Sequence, residues 1–341
     1  MLEPRGADSS ASYEPATDVS ARVPSEARNA LLQGRITDAL ALVDGARHDV
    51  DLTQDARVEL ALTGLLSQLA RGDLRGAAPF SRELTALVRV RGPVAARACL
   101  GLGEFAAARG QVEQAMSYFE STGQELAAAD DHTWLPWRSG LARIIAARGE
   151  VAGAIKLVEG ELADARILDS PYSVAYALRT LSAVAPTDQR VALLDEALGV
   201  LIGAGAARLE AQIRTDLAGG LLLLQPTESA RAIDLLRSSE KYARQEELAP
   251  LLGRIRWLLE RLGEAPDGEL AGRLGELSAA ERRVAALVVL GKRNREIAVE
   301  LGVSVKSVEW HVSHILRKLS ITSRLDLAEA LAQPRQSRQS R

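Results

Sequence analysis

An internal repeat constrains the fold of this chain more than any other feature of its sequence. Successive copies share an apolar helical stretch, a glycine, a polar residue and an alanine five positions after the glycine. The four copies are LLQGRITDA (31–39), LARGDLRGA (69–77), AARGQVEQA (107–115) and AARGEVAGA (146–154). Their spacing is 38, 38 and 39 residues, measured between Gly34, Gly72, Gly110 and Gly149. A fixed period of this length is typical of a solenoid, in which each unit buries its apolar face against the next.

Each repeat is predicted to be a helical hairpin, because glycine adopts the left-handed conformation that ends one helix just before another begins. Continuing the period leads to Pro186-Thr187 and Pro226-Thr227, where proline breaks the helix in place of glycine. The small packing position is predicted to continue at Ala192 and Ala230. The pattern predicts about six hairpins over 22–246 and a capping helix over about 247–262.

This arrangement resembles tetratricopeptide repeats, which share the helix-turn-helix unit, the turn glycine and the packing alanine. The period is longer than their usual length of about 34 residues. Aromatic residues make up only 4% of the chain, which favours close packing of helices over a β-sandwich or barrel. We therefore predict an all-α protein, with a tetratricopeptide-like helical-hairpin solenoid followed by a smaller helical domain.

Three further observations limit the environment of the protein. A single cysteine, Cys99, excludes an intramolecular disulfide framework and indicates a reducing compartment. The N-terminal residues lack the features of a secretory signal, and no run of about 18 apolar residues occurs, so the predicted location is cytoplasmic.

Trp134 and Trp137 flank Pro136, where packing at a helix start is favoured over a ligand pocket.

Charge is distributed unevenly along the chain. Residues 271–341 contain 13 Lys and Arg against 7 Asp and Glu, whereas the whole chain has a net charge of −3. This asymmetry indicates that only the C-terminal end approaches a polyanion. The preceding segment, GEAPDGELAGRLGE (263–276), contains four glycines and a proline and is predicted to be a linker.

The residues after the linker predict three short helices. Ser278 and Glu281 form a capping box for a first helix that runs to about Leu290. The other predicted boundaries are Gly291 at the end of the first helix, Asn294 as N-cap of the second, Gly302 at its end and Ser304 as N-cap of the third.

The third helix has one apolar face, formed by Val308, Val312, Ile315, Leu316 and Leu319. Its opposite face is basic and rich in hydrogen-bonding groups. Two short helices joined by a glycine turn, the second with such a face, are typical of a helix-turn-helix that places its second helix in the major groove. The predicted DNA-contacting residues are Asn294, Arg295, Ser304, Lys306, Ser307, Glu309, Trp310, Ser313, Arg317 and Lys318.

Plainer interpretations of these residues stay open at this stage. The basic residues also fit an ordinary solvated helix face. For Trp310, DNA contact is the favoured interpretation, because this residue lies opposite the apolar face, where an exposed tryptophan has little structural purpose. His311 and His314 are three residues apart, but no third ligand is near, and packing is favoured for His311. No metal or cofactor is predicted.

Residues 277–331 resemble the LuxR-type DNA-binding domain of bacterial transcription regulators. The resemblance rests on Glu281, the run GKRNREIAVELGVSVKSVEWHVSHILRKL and Ser323-Arg324. It implies a four-helix domain with its recognition helix at about 304–318 and a fourth helix at about 324–332 through which such domains dimerise on DNA. The residues predicted for dimerisation are Leu325, Ala328 and Leu331.

Two residues depart from the family pattern. Ala280 stands where proline is common, and Glu309 stands where a basic residue is usual, which leaves the base preference open.

The pairing of repeats with this domain resembles the C-terminal part of the large ATP-binding LuxR-type regulators. Their P-loop motif does not occur in this sequence, which therefore fits both a short relative and a fragment.

The predicted function is sequence-specific transcription regulation, with the repeats serving as an effector- or partner-binding region. The alternative is a helical-repeat interaction scaffold in which DNA binding is secondary. An enzyme is not predicted, because no nucleophile–base pair, metal cluster or phosphate loop is found. The implied partners are double-stranded DNA, a second copy of the chain and a peptide, small-molecule or protein effector; RNA polymerase is left open, and no membrane is implied. The predicted divisions are a disordered tail (1–21), repeats (22–262), linker (263–276), DNA-binding domain (277–333) and basic tail (334–341).

Overall fold

The computed structural model describes residues 17–49, 51–129, 131, 134–264, 277–289 and 292–318, and every regular element in these ranges is helical. No helix within them is long and apolar enough to cross a membrane. The helices of the repeat region are α1 (Thr17–Gln33), α2 (Ile36–Ala46), α3 (Gln54–Arg71), α4 (Leu74–Leu87), α5 (Gly92–Ala108), α6 (Val112–Ala128), α7 (Trp137–Ala147), α8 (Val151–Ile167), α9 (Pro171–Val184), α10 (Arg190–Val200), α11 (Ala207–Leu224), α12 (Ser229–Gln245) and α13 (Ala249–Arg261).

The first four hairpin turns form at the repeat glycines, as predicted. All four have positive φ angles, which are 84° at Gly34, 80° at Gly72, 72° at Gly110 and 92° at Gly149. Because the chain reverses at these glycines, the N–H group that follows the turn donates a hydrogen bond to a carbonyl of the preceding helix. An example is the 2.9 Å bond from the Gln111 N–H to the Ala106 carbonyl. Helix α1 begins at Thr17, so residues 17–21 of the predicted disordered tail are helical.

The two proline turns change the register of the later repeats. Short 3-10 helices occupy Thr187–Gln189 and Pro226–Glu228, where the sequence predicted a helix break. The prediction that Ala192 and Ala230 occupy the small packing position is wrong, because both are exposed. Val191, one residue earlier, and Ala232, two residues later, are buried instead, because a 3-10 helix rather than a glycine turn precedes each following helix and the core-facing residue is no longer fixed at the same distance from the turn.

The chain divides into two compact units, the first with residues up to 141 except 70–73, and the second with 70–73 and residues from 142 onward. In the first unit, Phe80 of α4 and Phe119 of α6 are buried. Each ring covers a glycine of the preceding helix, so a Cβ added to Gly64 would lie 2.5 Å from the Phe80 ring, and one added to Gly103 would lie 2.7 Å from Phe119. The two glycine–phenylalanine pairs are 39 residues apart.

The indole of Trp137 rests on α6, where a Cβ added to Gly123 would lie 2.6 Å from it. This packing at the start of α7 agrees with the sequence interpretation. In the second unit, large fully buried side chains are aliphatic and include the following residues of α9 to α12: Leu178, Leu194, Leu209, Ile213, Leu217, Leu221 and Leu236.

Cys99 of α5 is buried in the first unit, 2% exposed. Burial, and secondarily the charge of Glu125, raises the pKa of the Cys99 thiol to about 11. Since the thiolate is the reactive form, we expect the native protein at pH 8 to react with an aromatic disulfide reagent at least about 100-fold more slowly than the urea-unfolded chain. Equal rates for the two forms would contradict this burial.

Candidate nucleic-acid interface

The C-terminal described segment forms three short helices around a small apolar core. They are α14 (Ala279–Val289), α15 (Asn294–Leu301) and α16 (Val305–Lys318). All three helices contribute to the buried cluster of Leu277, Val284, Ala285, Leu287, Val288, Ile297, Ala298, Val308, Val312 and Ile315. The predicted inward residues of the third helix are therefore buried, while Leu316 is half-buried and Leu319 lies outside the described residues.

The capping box predicted at the start of the domain is present. The Ser278 N–H donates to Glu281 Oε2 at 2.7 Å, and the Glu281 N–H donates to Ser278 Oγ at 3.2 Å. Glu281 is 3% exposed, and the bond from the Ser278 N–H contributes to satisfying its buried carboxylate.

The start of α15 differs from the prediction. Asn294 was predicted as the N-cap, but the N-cap is Arg293, and Asn294 is the first residue of the helix. Glu296 explains the shift, because its Oε2 accepts the Arg293 N–H at 2.7 Å and caps the helix from within its first turn. Lys292 forms an ion pair with Glu300 across the same helix.

The turn between α15 and α16 has the predicted geometry. Gly302 has a φ of 64°, and the Val303 N–H bonds to the Ala298 carbonyl at 3.0 Å, which closes the end of α15. Ser304 then caps α16, since its Oγ accepts the Ser307 N–H at 3.1 Å. The chain thus turns within three residues, and α16 begins at Val305.

The exposed face of α16 brings several predicted site residues into one row. Lys306, Glu309, Trp310 and Ser313 are all exposed and follow the i, i+3, i+4, i+7 spacing of a single helix face. We call these four residues the α16 stripe. Ser307 lies on the flank and is half-buried. On α15, Arg295 is exposed and Asn294 half-buried.

Within the α16 stripe, Trp310 is 55% exposed and is held by its neighbours. Its ring stacks on His314 with centroids 3.8 Å apart and meets His311 edge-on at 5.0 Å. Ser313 Oγ donates to the Glu309 carbonyl at 2.9 Å. Across the described parts of the chain, no group of three or more His, Cys, Asp or Glu residues is arranged to hold a metal ion.

Some predicted site residues cannot be placed in this row. Arg317 and Lys318 end α16, but their side chains lie outside the described residues, as do Leu325, Ala328 and Leu331 entirely.

The structure also exposes apolar residues next to the turn that sequence analysis did not single out: Val299 at 80%, Val303 at 42% and Val305 at 39%. Their exposure depends on the angle between α15 and α16, which no local pattern reports.

Comparison with known proteins agrees with this geometry. Residues 275–331 match the family model of the bacterial regulatory proteins of the luxR family, so this part of the chain is a LuxR-type helix-turn-helix domain. Its similar relatives are the transcriptional regulatory protein LiaR of Bacillus subtilis (32% identity over 106 residues, 31% of this chain and 47% of LiaR), the oxygen regulatory protein NreC of Staphylococcus carnosus (45% over 53 residues, 16% and 24%) and the transcriptional regulatory protein UhpA of Salmonella typhimurium (39% over 61 residues, 18% and 31%). The matches span less than half the length of these relatives.

The helical repeats are similar in fold to the crystal structure of a Rap protein complexed with competence and sporulation factor. The TM-score is 0.54 at 12% sequence identity, covering 93% of this chain and 95% of that one. At this identity the likeness concerns the fold alone. Together with the domain match, it confirms the predicted all-α class of tetratricopeptide-like hairpins followed by a LuxR-type domain.

Proposed function

We propose that this protein is a sequence-specific DNA-binding transcription regulator whose α16 is the recognition helix. The observation that carries the proposal is the α16 stripe, in which a cation, a carboxylate, an indole and a hydroxyl face solvent on one side of a short, capped helix. The major groove is wide enough for such a helix, and these are the groups that distinguish base edges. The opposite side of α16 is fixed in the core by Val308, Val312 and Ile315.

The charge of the domain supports contact with a polyanion. Residues 277–318 contain eight Lys and Arg against four Asp and Glu. Arg295 and Lys306 are exposed on the two helices that flank the turn, where a duplex would bring its phosphates close. Arg317 and Lys318 extend the basic character to the last turn of α16.

The second part of the proposal is that the repeats bind an effector or partner. The protein as a whole is proposed to act in the cytoplasm. The support is that stacked helical hairpins present long surfaces for peptides and proteins, and that the Rap protein of similar fold is complexed with competence and sporulation factor. Dimerisation through Leu325, Ala328 and Leu331 belongs to the proposal as well. The other candidate, an interaction scaffold, makes DNA binding unnecessary.

Selection of genomic DNA fragments with the full-length protein tests this function. We expect one shared motif containing inverted half-sites about one helical turn apart, bound by two protomers, because a two-fold dimer requires matching symmetry in its site. The control is Val308→Asp, which places a charge in the domain core and should abolish enrichment while the circular dichroism of the repeats persists.

Three results would contradict the proposal. Failure to retain any fragment at low salt would favour the scaffold, and enrichment without a shared motif would remove sequence specificity. One protomer bound to a single half-site as tightly as to the full site would refute the dimer.

A further inference from the structure

The second compact unit contains a half-buried arginine that forms no ion pair with any carboxylate among the described residues. It is Arg208, the second residue of α11, whose Nε is buried without a hydrogen-bond partner. Its interacting neighbours are tyrosines: Tyr172 and Tyr176 of α9, and Tyr242 of α12. Neutral phenols solvate a guanidinium but do not neutralise it, so the charge of Arg208 stays uncompensated.

A second arginine extends this group toward solvent. Arg143 of α7 is exposed, and its Nη1 lies 3.4 Å from the Tyr176 hydroxyl. The rings of Tyr172 and Tyr176 stack with centroids 6.4 Å apart and an interplanar angle of 23°. All three tyrosines are half-buried. We call Arg143, Tyr172, Tyr176, Arg208 and Tyr242 the arginine–tyrosine cluster.

Two acidic residues of the same unit interact with residues other than Arg208. Asp216 of α11 accepts the Arg179 Nε–H at 2.6 Å and is also paired with Arg254 of α13. Glu246, which follows α12, lies near Tyr242.

We propose that the arginine–tyrosine cluster binds a carboxylate group of the ligand recognised by the repeats. A charge that is partly removed from water without a counter-ion is costly, and a carboxylate that accepts the guanidinium N–H groups removes that cost. The proposal rests on the proposed role of the repeats as an effector-binding region. It adds the chemistry of the ligand, an acidic peptide or a small polycarboxylate, both of which offer the same group.

Thermal unfolding of the full-length protein tests this inference, with triglutamate and citrate as separate probes at a constant ionic strength of about 0.15 M. We expect at least one probe to raise the Tm by about 2 °C or more at saturation, because a ligand that binds only the folded state stabilises it. The Arg208→Met variant should lose this response. Its Tm without ligand should equal or exceed that of the natural protein, since an uncompensated charge has been removed.

The matched control is Arg166→Gln, because Arg166 of α8 belongs to the same unit but is exposed and already paired with Glu196. This variant should keep the full response. If Arg208→Met does not fold, Arg208→Lys decides, with half-saturation expected at a concentration about tenfold higher, because lysine cannot bind a carboxylate through two parallel N–H groups.

A response to triglutamate alone identifies an acidic peptide as the ligand class, and a response to citrate alone identifies a small polycarboxylate. The proposal is overturned if neither probe raises the Tm, or if the natural protein and the Arg208 variant respond equally. DNA selection with the same samples separates this outcome from the proposed function, because a chain that selects DNA but ignores both anions refutes only the carboxylate site.

Discussion

Replacing Phe119 with alanine is expected to lower the free energy of unfolding by about 3–5 kcal/mol. The Phe119 ring is completely buried and fills the space between two glycines, with an added Cβ lying 2.7 Å from it at Gly103 and 2.6 Å at Gly140. Neither glycine has a side chain that could move into the vacated volume. The cavity therefore persists, and the cost lies toward the upper end for such a substitution.

The same geometry predicts a coupling between Phe119 and Gly140. In the natural protein, Gly140→Ala should destabilise by about 1–3 kcal/mol through overpacking, although alanine favours helix. In a Phe119→Leu background this penalty should shrink, because the ring that the new methyl group meets is absent. Urea unfolding followed by circular dichroism measures all four free energies.

Gly160→Ala on α8 is the matched control. A Cβ at this helical position meets nothing within 4 Å, so the substitution should stabilise the protein by about 0.5–1 kcal/mol. A similar loss of stability at Gly140 in the presence and absence of the ring would show that the ring does not require the glycine.

The second large effect is expected at Glu309. A carboxylate in the first half of a recognition helix is repelled by phosphate, so it helps binding only by accepting a hydrogen bond from a base, for which the cytosine N4 amine is the natural donor. Glu309→Ala should cost about 1–3 kcal/mol of binding free energy on the selected site, whereas affinity for random DNA should stay level or rise. Trp310→Ala should likewise reduce specificity more than it changes the salt dependence.

Lys318→Ala provides the contrast, because Lys318 is the last residue of α16, where a recognition helix leaves the groove and crosses the backbone. This variant should weaken binding to both DNAs alike and reduce the log K against log salt slope by about 0.9. Glu260→Ala, an exposed acid on α13, controls for the loss of one negative charge. Equal losses on both DNAs for the Glu309 and Lys318 variants would refute the division of α16 into base-reading and phosphate-binding parts.

Sequence alone predicts the features that local chemistry determines. The turn glycines, the Ser278–Glu281 capping box, the Ser304 cap and the buried face of α16 all depend on residues within one or two helical turns of each other. The N-cap of α15 is the local exception, because Asn294 and Glu296 offer two ways to cap one helix, and the carboxylate at the third helical position determines the boundary.

Features that depend on distant partners do not follow from the sequence. A glycine inside a helix, such as Gly103, suggests only lower helix stability until the ring of Phe119 is placed against it. The burial of Val191 instead of Ala192 depends on how the helix that follows a 3-10 turn packs against its neighbours. The arginine–tyrosine cluster joins residues from four helices, and each of its members alone looks like an ordinary surface residue.

The stack of Trp310 on His314 has a consequence for the selectivity of a recognition helix. A long side chain that moves freely in the unbound protein loses rotational entropy when a partner immobilises it, typically about 0.5–1.5 kcal/mol. The indole of Trp310 already lies against an imidazole one turn along the helix, so much of its ordering has taken place before any encounter. A rigid projection of this kind fits a complementary base step at little entropic cost and cannot adjust to a mismatched one. We therefore expect the ordered Trp310 ring to favour base steps whose shape it fits over base steps whose shape it does not fit.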